Sequence, residues 1–420
     1  MLTKPKFEPH VPREAAQPLA LAGVRVVDFS HMLAGPFCTQ TLADMGAEVI
    51  KVESPDGDDC RGYKPAGWEG EGAYFQSANR NKKSISLDLK HPDGLRIAKA
   101  LIARSDVLVE NFSNGVMERL GLGYAGLAAE YPRLVYCSIS AYGRDDSSVP
   151  PRTGYDAMFQ AGSGFMSLTG ESDGPPMRTT VPVMDILTAS VSASAILAAL
   201  LARDRLGRGQ FVEVPLFDVA MSSLTFYGMS YLVYGENPVR NGNRAALSAP
   251  SDAYETQSGW VFLTCGTDRL FRRLVTEGLA RPELAEDPDF ASPGLRAAHQ
   301  EKLTRILAPI FKGATREHWL AHLGGIGVPI APILSVEQAF HSEDARRRRV
   351  VSDIPHAIAG TVATVRPPFH FSLTPVADPV AAPLLGQHTE HVLSEVLGYA
   401  GDELSRALAS DGVRSHGLTE

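Results

Sequence analysis

Cysteine is scarce in this sequence. Four occur among 420 residues, at positions 38, 60, 137 and 265, with no C-x-x-C spacing. That excludes a disulfide framework or a thiolate zinc cluster and predicts reduced thiols in a cytoplasmic protein. Excess positive charge is missing as well. A net charge of −8 excludes a general nucleic-acid binder, while leaving room for a local basic pocket. There is no histidine pair with metal-ligand spacing, no P-loop and no G-x-S-x-G. The first twenty residues contain no apolar core of signal-peptide length. The most apolar stretch, 186–202, is interrupted by Thr188, Ser190, Ser192 and Ser194, which favours a core helix over a membrane span. No internal repeat and no low-complexity block is present.

What is there is an alternation. Strand-like runs at 24–29, 47–53, 84–89, 107–112, 134–142 and 211–217 are apolar and rich in β-branched residues. Amphipathic or buried helical segments lie between most of them. That order predicts an α/β protein with an open, mostly parallel Rossmann-like sheet covered on both faces. The predicted division is an extended, proline-containing arm over 1–20 and a large domain over 21–225. A linker over 226–245 and a smaller α/β domain over 246–335 follow. A return segment over 336–420 then completes the large domain. The run "RRRR" at 346–349 reads as a solvated basic patch.

A dinucleotide site is the first chemistry such a sheet suggests. Glu53 closes the second strand, where that fold keeps a ribose-binding acid. The first strand, however, is followed by "SHMLAGPF", which carries a single glycine. Without G-x-G-x-x-G the backbone cannot approach a pyrophosphate in the usual way, which argues against a nicotinamide dehydrogenase. The more unusual feature is Asp185 in "VPVMDILTAS". A carboxylate in apolar company is expensive unless something compensates. Asp185 precedes a long helical run, so it reads either as that helix's N-cap or as a working carboxylate. An aspartate can attack an activated acyl group, and a helix N-terminus steadies negative charge.

Taken together, "LAGVRVVDFSHMLAGPFCTQTLADMGAEVIKVE", "YFQSANRNKKSISLDLK", "DVLVENF", "GYDAMFQA", "PVMDILTA", "GRGQFVEV", "GVPIAPI" and "PLLGQHT", in this order, resemble the family III coenzyme A transferases, the CaiB/BaiF family. The resemblance runs through nearly the whole chain. It implies that coenzyme A is a co-substrate, with no permanently bound cofactor and no metal. Acyl-CoA and small carboxylic acids would be the partners, with neither nucleic acid nor membrane, and the chain would form an interlocked homodimer. It implies that Asp185 forms an acyl anhydride and then an aspartyl–CoA thioester, with apolar neighbours keeping water out.

The same resemblance implies that His31, Leu33 and Ala34 lie against the coenzyme and the reaction centre. Leu87 and Lys90 would follow the cofactor, Asn111 and Phe112 would hold the pantetheine, and Arg119 would meet the nucleotide. By residue type alone Leu87 and Phe112 are also ordinary core residues, and Lys90 and Arg119 ordinary surface charges. Related 2-methylacyl-CoA racemases, the alternative activity, place a histidine base in the motif that reads "TGYDAMFQ" here. Tyr155 stands in its place among the cofactor-facing positions. A phenol is too weak a base at neutral pH to replace imidazole, which favours transfer. The glycine-rich loop of formyl-CoA transferases is replaced by "RNGNRAALSAP", and Ser251 stands where relatives acting on dicarboxylates often have an aromatic. The overall pattern is nearest to succinyl-CoA–dicarboxylate transferases.

Overall fold

The computed structural model describes residues 4–14, 17–66, 68, 70–144 and 152–416. The chain divides into two compact units. The first comprises Met1–Ser163, Thr180–Thr225 and Arg347–Glu420, and the second Gly164–Thr179 and Phe226–Arg346.

The first unit is built on β1 (Arg25–Asp28), β2 (Glu48–Glu53), β3 (Lys82–Leu87), β4 (Val107–Glu110), β5 (Val135–Ser140) and β6 (Phe211–Pro215). Valine and isoleucine dominate these strands, and nearly all residues of β2 to β5 are buried. The sheet runs β3-β2-β1-β4-β5-β6, all parallel, with Val413–Arg414 as an antiparallel edge beside β3. The strand order reverses between β1 and β4. In open α/β sheets the crevice beyond the carboxyl ends at such a switch point is where ligands bind.

Helices close both faces. Among them are α1 (Ala34–Asp44), α2 (Pro92–Ala103), α3 (Asp156–Gly162) and α4 (Val183–Leu206). α2 starts with Pro92 at its first position, and His91 accepts the Asp93 N–H. It buries Ile97, Ala98, Leu101 and Ile102 against Ile50, Ile85 and Leu108. α4 runs 24 residues until Gly207 ends it in the left-handed conformation at φ +72°. That helix is long and apolar enough to cross a bilayer by length and composition; here it packs along α1 and against β5 and β6.

The C-terminal segment returns to this unit and adds Val392, Leu393 and Val396 to its core. A hairpin of Val351–His356 and Gly360–Val365, which the sequence reading passed over, receives the N-terminal arm. Pro9 bridges Asp353, and Lys4 Nζ donates to the carbonyls of Ala359 and Thr361.

The second unit holds an antiparallel sheet of β7 (Ser251–Thr256), β8 (Gly259–Thr264) and β9 (Ile330–Ile333). Helices Gln300–Phe311 and Arg316–Gly325 pack with it around Leu263, Phe271, Leu303, Leu307 and Trp319. Tyr254 stacks on Phe311 at 4.6 Å. The range 226–245, read from sequence as a linker, begins with the helix Thr225–Tyr234 and belongs to this unit, as does 336–346.

Candidate active site

A cleft of about 360 Å³ opens at the switch point. Its walls come from the carboxyl ends of four strands: Phe29, Ser30 and His31 after β1, Lys51 to Ser54 in and after β2, Leu87 to Lys90 after β3, and Phe112 after β4. Four of the predicted site residues, His31, Leu87, Lys90 and Phe112, therefore share one cavity. Asn111 joins its two sides. Its Oδ1 accepts the His31 N–H and its Nδ2 donates to the His31 carbonyl, both at 2.9 Å. The His31 and Phe112 rings lie 5.6 Å apart. Burial pushes His31 below its ordinary pKa, so the imidazole is neutral at neutral pH.

Glu53 also faces this cleft, but its carboxylate is taken. Arg61 holds it through two bonds of 2.7 Å, and Ser84 donates to it at 2.7 Å. It has no oxygen free in the manner of a ribose-binding acid. The remaining predicted positions lie outside the lining. Leu33 and Ala34 are buried at the start of α1. Arg119 is exposed on the short helix Val116–Arg119, whose Val116, with Leu120 just beyond it, does line the cleft. Tyr155 is 67% exposed immediately before α3. A second cleft, of about 470 Å³ and lined by Tyr124, Tyr136, Phe211, Glu110 and Arg144, contains none of the predicted residues.

Beneath the turn after β1 lie two ion pairs with side chains essentially out of water. Lys82 Nζ meets Asp28 at 3.0 Å, and Lys51 Nζ meets Asp58 at 3.0 Å. Burial works to raise Asp58, but Lys51 and the hydrogen bonds around it prevail and hold it at about 2. Burial likewise opposes ionisation of Asp28, and Lys82 and Lys51 overcome it. These residues were not singled out from the sequence. The Lys-Lys start of β3 reads as polar, and its pairing with Asp28 spans 54 residues.

Asp185 is not the N-cap of α4. The cap position is Pro182, and Asp185 is the third helical residue. The capping oxygen comes from Asp156, whose Oδ1 accepts the N–H of Met184 at 2.7 Å and of Asp185 at 3.4 Å. Proline at 182 supplies no side-chain oxygen, so a carboxylate 28 residues before Met184 does the work, a contact local sequence cannot reveal. Gln160 Nε2 donates to the other Asp156 oxygen at 2.5 Å. Asp185 is thus left half-buried within reach of a second acid's charge, and burial followed by Asp156 repulsion raises it to about 7. Tyr74 is its neighbour. Burial and then the Asp185 charge raise that phenol to about 12, and the Tyr63 ring meets it edge-on at 5.8 Å. Sequence reasoning missed both Asp156 and Tyr74.

Among the described residues no group of three or more His, Cys, Asp and Glu side chains is arranged to hold a metal ion. The site offers a carboxylate raised to about 7 at a helix N-terminus and, apart from it, a cleft lined by the ends of four parallel strands.

Comparison with known proteins points the same way. The sequence model of CoA-transferase family III matches residues 21–389. Mouse succinyl-CoA:glutarate CoA-transferase is 37% identical, with 94% of this chain and 91% of the mouse protein covered. Succinyl-CoA:mesaconate CoA-transferase of Haloarcula hispanica is 36% identical, over 90% of this chain and 96% of that protein. Among solved structures, a CaiB/BaiF family protein from Brucella suis superposes with a TM-score of 0.81 at 37% identity, covering 90% of this chain and all of that one.

Proposed function

The chain belongs to CoA-transferase family III, and on that premise we propose that it moves coenzyme A from succinyl-CoA or a similar short acyl-CoA to a small dicarboxylic acid, with Asp185 as covalent nucleophile. The observation that carries this reading is the state of Asp185: half-buried in the first turn of α4, facing a second acid, and raised to about 7. Its anion is poorly stabilised where it stands. Acylation removes that charge and relieves both the desolvation and the repulsion from Asp156.

In the first step a carboxylate oxygen of Asp185 attacks the thioester carbonyl, the C–S bond breaks, and coenzyme A leaves as thiolate from an acyl–aspartyl anhydride. The thiolate then attacks the aspartyl carbonyl and releases the donor acid. The acceptor carboxylate attacks the aspartyl–CoA thioester, freeing the thiolate a second time. That thiolate takes the acceptor's acyl carbon from the new anhydride and restores the Asp185 anion. His31, Leu87, Lys90, Asn111 and Phe112 hold the coenzyme along the cleft, with Arg119 reaching its nucleotide end.

Support for a dicarboxylic acceptor comes from the relatives that transfer coenzyme A to glutarate and to mesaconate. A homodimer would cover apolar side chains left open within each unit, such as Val191 and Leu201 on α4 and Met229, Leu232 and Tyr234 on the helix Thr225–Tyr234. It should run near twice the 45.2 kDa chain mass and withstand dilution; a monomer at micromolar concentration overturns it. Four buried free thiols fit a cytoplasmic location.

The test of the reaction is a panel of acyl-CoA donors against mono- and dicarboxylic acids, read by mass spectrometry, with hydroxylamine trapping of the enzyme. Asp185 should appear as its hydroxamate. A racemase would exchange an α-proton with no acceptor present and yield no trapped aspartate.

A further inference from the structure

The turn joining β1 to α1 forms one wall of the coenzyme cleft, and it is an unrelaxed turn. Met32 sits at φ +64°, a left-handed conformation that residues with a side chain adopt reluctantly. Such a conformation persists only where its surroundings fix it. Here the fixing groups lie underneath. The Met32 N–H points at both oxygens of Asp58, 3.2 Å from each. Lys51 Nζ donates to the Ser30 carbonyl at 2.7 Å and to Asp58 at 3.0 Å. The Ser30 N–H is held by Asp28 at 2.9 Å, and the His31 N–H by Asn111. The three successive N–H groups of Ser30, His31 and Met32 are thus bonded to three different side chains.

We propose that Lys51 and Asp58 are positioning residues for acyl-CoA: as a pair they hold the His31–Met32 turn in its left-handed shape, so that the cleft wall is formed before the coenzyme arrives. This rests on the cleft being the acyl-CoA site. Stability is a weak reason for such a pair to exist, because buried ion pairs are often replaced by apolar side chains at little loss or even a gain. A pair that grips the backbone of a strained turn does something apolar residues cannot, since it supplies one donor and one acceptor at the places the turn requires.

The test is the double variant Lys51→Met/Asp58→Asn. Both charges leave together, so neither is stranded; the Asn oxygen stays within reach of the Cys60 N–H, while the Ser30 carbonyl loses its Lys51 donor and the Met32 N–H loses one of its two acceptor oxygens. The melting temperature should stay within ~5 °C of the parent protein, while kcat/KM for acyl-CoA falls about a hundredfold, as for a misplacement near 1 Å. Adding Met32→Gly should recover about tenfold of that loss, because glycine holds a positive φ without anchors. Activity within about threefold of the parent, or a loss that Met32→Gly does not relieve, overturns the proposal. A second measurement needs no variant. In the parent protein the Met32 amide should exchange as slowly as the amides of β1; exchange at the rate of an open loop overturns the anchoring whatever reaction is catalysed. Failure of hydroxylamine to trap Asp185 would instead sink only the assignment of the reaction.

Discussion

Asp58 and Asp185 belong to the same unit, and both are withdrawn from water, yet they are driven in opposite directions. Asp58, the more deeply buried, is held at about 2. Asp185, still half-open, rises to about 7. Burial opposes the charge in both. The difference is the company: an ammonium at 3.0 Å for Asp58, a second carboxylate for Asp185. The floor under the β1–α1 turn is therefore a place where charge is fixed for support. The mouth of α4 is a place where charge is left uncomfortable, as the proposed nucleophile requires.

Removing the acid proposed as nucleophile should break this contrast most. Asp185→Asn cannot form an anhydride, so turnover should fall by about 10⁴-fold or more, measured with acyl-CoA and a dicarboxylic acceptor. Because Asp156 makes the cap, the variant should fold with no loss of stability. Its stability relative to the parent should also depend on pH. The raised folded pKa of Asp185 favours the native protein fully below its ordinary 3.8, and that advantage disappears as pH rises through 3.8 to about 7. Denaturant titrations should therefore show the variant gaining on the parent across that window and level above it. A variant that still transfers coenzyme A at the parent rate would end the mechanism proposed here.

The next largest effect is on the opposite carboxylate. Asp58→Asn alone strands the buried Lys51 ammonium and should destabilise the protein by ~3–5 kcal/mol. In the parent, the stability contributed by the Asp58 charge is present above 3.8 and is lost as pH falls toward about 2, the reverse of the Asp185 window. If Asp58→Asn is as stable as the parent by urea denaturation, the pair is not the support described.

A smaller change tests the link between the acids. Asp156→Asn keeps an oxygen for the Met184 N–H and removes the repelling charge, so the acid limb of the pH–rate profile should move down from about 7. An unmoved limb would mean burial alone sets it. The smallest effect belongs to Tyr155→Phe. Tyr155 is 67% exposed, and losing its hydroxyl should change stability by no more than ~0.5 kcal/mol and leave trapping of Asp185 intact. α-Proton exchange in the parent that this substitution abolishes would favour the racemase instead.

Much of the first unit can be read from residue order alone, because its strands are buried on both faces and leave continuous apolar runs. The positions that resisted are those settled by distant partners. β3 begins at Lys82, two residues before the apolar pattern does, since Asp28 makes a buried lysine tolerable there. The hairpin ending at Val365 carries mixed, partly exposed side chains that imitate a linker. Asp185 could be picked out as anomalous, but its cap could not, because Asp156 is near it only once α3 and α4 have packed. His31, Leu87, Lys90 and Phe112 came to one cleft because strand ends are predictable from strand order. Leu33, Ala34, Arg119 and Tyr155 fell outside the lining because side-chain direction is not.

The second unit's main segment, 226–346, is spliced into the chain of the first, whose core is completed only by Val392, Leu393, Val396, Leu397, Ala407 and Val413. On the ribosome, the six parallel strands are finished by Pro215, yet the residues that seal their outer face emerge only after another long stretch of synthesis. At ~5–20 residues per second, the interval from Thr225 to Thr389 is roughly 8–30 seconds. Throughout that interval β3 has an unpaired edge and an uncovered apolar surface. The nascent chain should therefore lean on holding chaperones during this window, and messages truncated before codon 389 should yield insoluble product even though every strand of the parallel sheet has been made.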